Sequence, residues 1–168
     1  MYPSKNLSLG CLILVLVILF GGCSGKQASP AEALDAICAT EKPLPAGKVY
    51  LRSAPTDSGS HLSDALIATV YGNGILPPAL DGVRDAACFF SYTQPCELAV
   101  FLCKSNNSTD AVAKMCLRRI DSLKAQWANN DSALPYLENA CVTVRGRWVI
   151  LCVSSDPSAA LRAFRRTA

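Results

Sequence analysis

The chain has 168 residues, is 51% hydrophobic and 17% charged, and carries a formal net charge of +3. That charge is too small for steering to nucleic acid, and no basic stripe is interleaved with aromatics, so no nucleic-acid partner is expected. Export, argued next from residues 1–23, excludes nucleic acid independently.

Lys5 gives a short positive start, and Leu9 to Phe20 is apolar except for one glycine. As a helix these 12 residues span about 18 Å, short of a hydrocarbon core of roughly 30 Å. The run fits the hydrophobic region of a secretory signal. Leu19-Phe20-Gly21-Gly22-Cys23 then resembles a bacterial lipobox, in which cleavage precedes Cys23 and its thiol carries a diacylglyceryl group. A retained anchor and an ordinary cleaved signal are the alternatives. Cleavage before Cys23 leaves 146 residues, enough for one domain and too few for two.

Ser24 to Ser29 reads as a polar spacer. Pro30 to Ala39 is a short helix, with Ala33, Leu34 and Ile37 on one side. Glu41 to Ser60 has prolines, glycines and little periodicity, and reads as a loop. Leu62 to Tyr71 is a second helix, stopped by Gly72-Asn73-Gly74. Strands Val83 to Tyr92 and Cys96 to Lys104 flank the turn Thr93-Gln94-Pro95. Thr109 to Ala128 is an amphipathic helix with Val112, Cys116, Ile120, Leu123 and Trp127 on its apolar face. Ala140 to Arg145 and Trp148 to Val153 flank Gly146-Arg147, a two-residue loop suited to strand twist. Asp156-Pro157 opens a last helix that ends near Arg166. Two strand–strand–helix units predict an α+β fold: a four-stranded antiparallel sheet with helices on one face, plus N-terminal helices. Which hairpin is central stays open. The expected division is a signal over 1–22, a lipidated start and spacer over 23–29, a short helix and Pro-rich loop over 30–61, and one α+β domain over 62–168.

Seven cysteines remain beyond Cys11 and Cys23, an odd number that cannot all pair within one chain. None are spaced C-x-x-C and His61 is the only histidine, so neither a zinc site nor any other metal or cofactor is expected. Most lie in apolar runs, as small buried hydrophobes do. Counting outward from Gly146-Arg147 places Cys141 opposite Cys152 in a hydrogen-bonded pair. Their separation of about 5.5 Å favours two free thiols over a strained, reducible bridge. Pairing Ser91 with Glu97 in the first hairpin sets Asp85 and Glu97 about 20 Å apart, too far for paired-carboxylate catalysis, and both read as solvated strand-end acids. His61 sits in a Ser/Gly loop with no nucleophile elbow. That same pairing leaves Phe89, Phe101, Trp148 and Ile150 on a sheet face away from the long helix, a candidate partner or ligand face. Cover by the Pro30 to Ala39 helix or the Pro-rich loop is the alternative. Arg162, Arg165 and Arg166 are read as a favourable helix end, with contact to an anionic membrane as the other possibility.

From Leu62 onward the chain resembles the bacterial lipoproteins grouped as domain-of-unknown-function family 4358. Leu66 to Gly72, Glu97-Leu98-Ala99-Val100-Phe101 and Arg118-Arg119-Ile120 carry the resemblance. So do Glu138 to Val149 and the Ser155-Asp156 before the final helix. The family implies a lipid-anchored envelope protein of Gram-positive bacteria and no assigned activity. The sequence therefore leads to a non-enzymatic binding or scaffold module on the extracytoplasmic face of the cell membrane. Its partners would be the membrane, through a lipid on Cys23, and an envelope protein or ligand not yet identified. The alternative is a thiol-redox protein using Cys141 and Cys152.

Overall fold

The computed structural model describes residues 28–168. The expected signal segment and Cys23 lie outside the described residues. The elements run α1 (Pro30–Cys38), β1 (Gly47–Leu51), α2 (Asp64–Tyr71), β2 (Val83–Ser91), β3 (Glu97–Cys103), α3 (Thr109–Gln126), the single turn α4 (Leu134–Leu137), β4 (Cys141–Arg145), β5 (Trp148–Val153) and α5 (Pro157–Thr167). Among the described residues, no helix is long and apolar enough to cross a membrane.

Local chemistry sets the helix ends. Ser29 and Glu32 form a reciprocal capping box that satisfies two orphan N–H groups of α1. Asp156 accepts from Ala159 N at 2.8 Å to start α5, with Pro157 at its first position. At the far end of α5, Arg145 Nη1 donates to the Arg165 and Ala168 carbonyls at 3.2 and 2.9 Å. Those contacts satisfy groups that helix geometry leaves open.

The sheet is fully antiparallel with five strands in the order β1-β2-β3-β5-β4. Two expectations are corrected here. The Glu41 to Ser60 segment contains an edge strand, β1, which pairs Gly47 with Ser91 through Leu51 with Ala87. Helices also cover both faces. On one side α2 and α3 bury Cys88, Ala99, Phe101, Val149 and Leu151. On the other, α1 and α5 bury Phe89, Leu98, Val100, Trp148 and Ile150. The result is a three-layer arrangement, in which the interior strands β3 and β5 are buried throughout and apolar on both sides except for Glu97.

The second hairpin has the expected register, from Arg145 opposite Trp148 out to Cys141 opposite Cys152. Gly146 has φ +54°, and among the described residues Arg147 does not share the left-handed region, the pattern of a II′ turn. The first hairpin differs by one residue. Glu97 faces Phe90 rather than Ser91, and Phe101 faces Ala86 rather than Ala87. The Ser91 hydroxyl accepts from the amides of Thr93 and Gln94, at 3.2 Å each, which fixes a longer link than the expected three-residue turn. A one-residue slip moves every side chain on β3 to the other face.

Candidate functional site

The predicted partner face is covered. Phe89, Trp148 and Ile150 are buried beneath α1 and α5, with Trp148 edge-on to Phe164 at 5.9 Å between ring centroids. Phe101 is fully buried on the opposite side, edge-on to Tyr71 at 5.8 Å. The four residues therefore form no common surface. The apolar stripes Ala33-Leu34-Ile37 on α1 and Ala160-Phe164 on α5 were the signal for cover, because each stripe needs a face to bury against.

The cysteines are free thiols throughout the described residues, and Cys141 and Cys152 are directly opposed but not bridged. Cys152 is buried, with its Sγ 3.4 Å from the Ser154 hydroxyl. Cys141 is half-buried, and hydrogen bonding to Cys152 lowers its thiol to about 7. The same interaction, with burial, pushes Cys152 well up. If one thiol of the pair ionises, it is Cys141. Burial drives the others the opposite way, with Cys38 and Cys96 raised to about 12. Among the described residues no three His, Cys, Asp or Glu side chains are placed to hold a metal ion. His61 Nδ1 is bound to the Ala54 carbonyl at 2.9 Å in a loop, and Asp85 caps the neighbouring Ala86 amide at 2.8 Å.

Glu97 is the residue most misread from sequence. It is not a solvated strand-end acid: it is 3% exposed at the start of β3. Its Oε2 accepts from Arg119 Nε and faces Nη2, both at 2.8 Å. Burial raises its pKa, and the Arg119 guanidinium opposes that shift without cancelling it. Tyr71 at the end of α2 is 7% exposed, and burial pushes its phenol well above the ordinary range. The Tyr71 hydroxyl lies close enough to the Glu97 carboxylate for each to shift the other's titration, but neither it nor Glu97 Oε1 makes a hydrogen bond of good geometry among the described residues. Buried polar atoms are well paired in the great majority of cases, so the poor geometry of the Tyr71–Glu97 contact leaves hydrogen-bonding capacity unused.

Above them lies an open cleft of about 250 Å³. Tyr71 and Arg119 form part of its lining. Arg118 and Ser122 from α3 supply polar wall, and Ile75, Leu76 and Pro77 supply apolar wall. Ile75 and Leu76 are exposed at 76% and 43% on the loop that follows α2. That loop turns through Asn73 at φ +52° and Gly74 at φ +90°, the left-handed region these residue types tolerate best. The cleft thus joins a cationic and hydroxyl-bearing floor to an apolar rim, as small-ligand sites do. Sequence reading missed it because Tyr71, Glu97 and Arg119 come from three separate elements. No protein-family model, curated protein or solved structure matches the chain.

Proposed function

We propose that this chain is a lipid-anchored, non-enzymatic binding module of the bacterial cell envelope, akin to the family 4358 lipoproteins. A diacylglyceryl group on Cys23 holds it at the extracytoplasmic face, since one acyl chain anchors only marginally and two make residence stable. The binding place is the Tyr71–Arg119 cleft and not the sheet face. The observation that carries this reading is an open recess with an apolar rim lined by Tyr71, Arg118 and Arg119, behind which Arg119 holds the buried Glu97 carboxylate. A ligand with one polar end and one small apolar group matches that lining.

A fragment library tested against the full chain by ligand-observed NMR checks the assignment. Ser122→Trp fills the recess from an exposed helix position without touching the core. Fragments with an acidic or amide end are expected to bind the native chain and to lose at least tenfold in affinity against Ser122→Trp. Equal binding to both chains, or no binding at all, would remove the cleft from the account.

The thiol pair favours a second reading, a redox protein in which Cys141 attacks and Cys152 resolves. The lowered Cys141 thiol beside a buried partner supports it. Cys141→Ser separates the two, because it abolishes a redox role and leaves binding at the cleft unchanged.

A further inference from the structure

We propose that one end of the sheet is a membrane-contact surface that docks on anionic phospholipid headgroups. The inference rests on the Cys23 anchor of the proposed function and adds to it an orientation and a lipid preference.

The chain enters the described domain at Ala28, which lines a shallow hollow with Arg84, Asp85 and Leu102. Arg84 and Leu102 lie where β2 begins and β3 ends. Only four residues separate Cys23 from Ala28, so the five steps between them reach at most about 18 Å even fully extended. An anchor on Cys23 therefore keeps this end of the sheet within a short distance of the bilayer.

Basic side chains gather at the same end. Lys104 follows β3, its Nζ donating to the Asp81 carbonyl at 2.7 Å and its amide to the Gly82 carbonyl at 2.8 Å. The β4–β5 turn lies alongside, for Leu102 faces Trp148 and the Cys103 amide donates to the Arg147 carbonyl at 2.8 Å. That turn brings Arg145 and Arg147. Arg145 in turn holds the end of α5, which brings Arg165 and Arg166. Arg84, Lys104, Arg145, Arg165 and Arg166 are all exposed. The acids at this end are fewer. Asp85 is half-buried on the Ala86 amide, Glu32 is engaged in the α1 cap, Asp110 in the first turn of α3 is paired with Lys114 at 2.8 Å, and Asp81 remains. Each basic residue within roughly a Debye length of an anionic bilayer is attracted to it, and the contributions add, so several together set an orientation.

The two tryptophans report the two ends. Trp148 starts β5 at the basic end and lines a hollow with Arg145, Arg147 and Ala168. Trp127 ends α3, whose 18 residues begin just beyond Lys104 and carry it about 27 Å along the helix.

The test uses the full chain from its native membrane, reconstituted into vesicles of phosphatidylcholine alone or with phosphatidylglycerol, carrying a nitroxide-labelled headgroup lipid. Trp127→Phe isolates the Trp148 signal, and Trp148→Phe isolates that of Trp127. Anionic vesicles are expected to quench Trp148 at least twofold more than neutral ones. The difference should vanish in 0.5 M salt (about a 4 Å screening length) and in the triple variant Arg84→Gln, Lys104→Gln, Arg166→Gln. Trp127 should stay unquenched in both. Equal quenching of Trp148 in neutral and anionic vesicles, or stronger quenching of Trp127, would overturn the basic end as the contact surface. A chain that leaves neutral vesicles but floats with anionic ones refutes the Cys23 anchor and retains the basic end. A chain that leaves both refutes the two together.

Discussion

Trp148→Ala is expected to lower the free energy of unfolding by about 3–5 kcal/mol, the cost of truncating a large aromatic in a core that cannot fully collapse. Trp148 is 7% exposed at the start of β5 and meets Phe164 of α5 edge-on, with 71° between the rings. Single domains of this size are stable by roughly 5–15 kcal/mol, so the loss should be plain in urea unfolding at equilibrium. Phe164→Ala and the double variant complete a cycle. The coupling between the two rings is expected at about 0.5–1.5 kcal/mol beyond area burial. A Trp148→Ala protein with an unchanged midpoint would mean that α1 and α5 do not close this face, and the surface would return as a candidate for partner binding.

Arg119→Met should cost a similar amount, about 3–5 kcal/mol near neutral pH, by stranding the Glu97 charge in the interior. Glu97 and Arg119 have side-chain exposures of 3% and 18%, so little solvent is at hand to replace the guanidinium. The double variant Glu97→Leu, Arg119→Met removes both charges and should recover most of the loss. The pH dependence has a definite sign. The Glu97 pKa in the folded protein is raised above its ordinary 4.5, so over that interval the native state holds a proton the unfolded chain has released. Stability contributed by this group is then complete below about pH 4.5 and falls as pH rises through the folded value. Arg119→Met should widen that interval, Glu97→Gln should abolish it, and urea midpoints between pH 4 and 8 measure both. A pH-independent cost for Arg119→Met would show that packing of the Arg119 stem, and not its charge, is what the fold uses.

How far the sequence discloses this molecule depends on which interactions are local. The second hairpin was legible residue by residue, because a two-residue glycine turn leaves one register and places Cys141 opposite Cys152. The long helix was legible through the spacing of Val112, Cys116, Ile120 and Leu123, all buried. The first hairpin was not, since the Ser91 hydroxyl organises its link in a way the Thr93-Gln94-Pro95 signal does not reveal. That single slip carried Phe101 to the wrong face. Strand β1 was hidden because its five residues sit between prolines and are only half-buried at a sheet edge. The candidate site was least visible of all. A charged residue opening a strand reads as solvated until its partner is known, and Arg119 lies 22 positions away. The one local hint is spacing: Arg119 is three residues after Cys116 and adjoins Ile120, so it borders the buried stripe of α3 rather than its exposed side.

The measurement that bears most directly on a lipid-anchored, non-redox binding module is the intact mass of the protein from its native membrane fraction, alkylated under denaturing, non-reducing conditions. The account predicts a chain that starts at Cys23, carries a diacylglyceryl mass and takes up one alkyl group on each of the seven remaining cysteines. A mass that begins elsewhere would contradict the anchor. Two thiols missing from the count would show a bridge among the seven and contradict the non-redox account, reviving the Cys141–Cys152 pair.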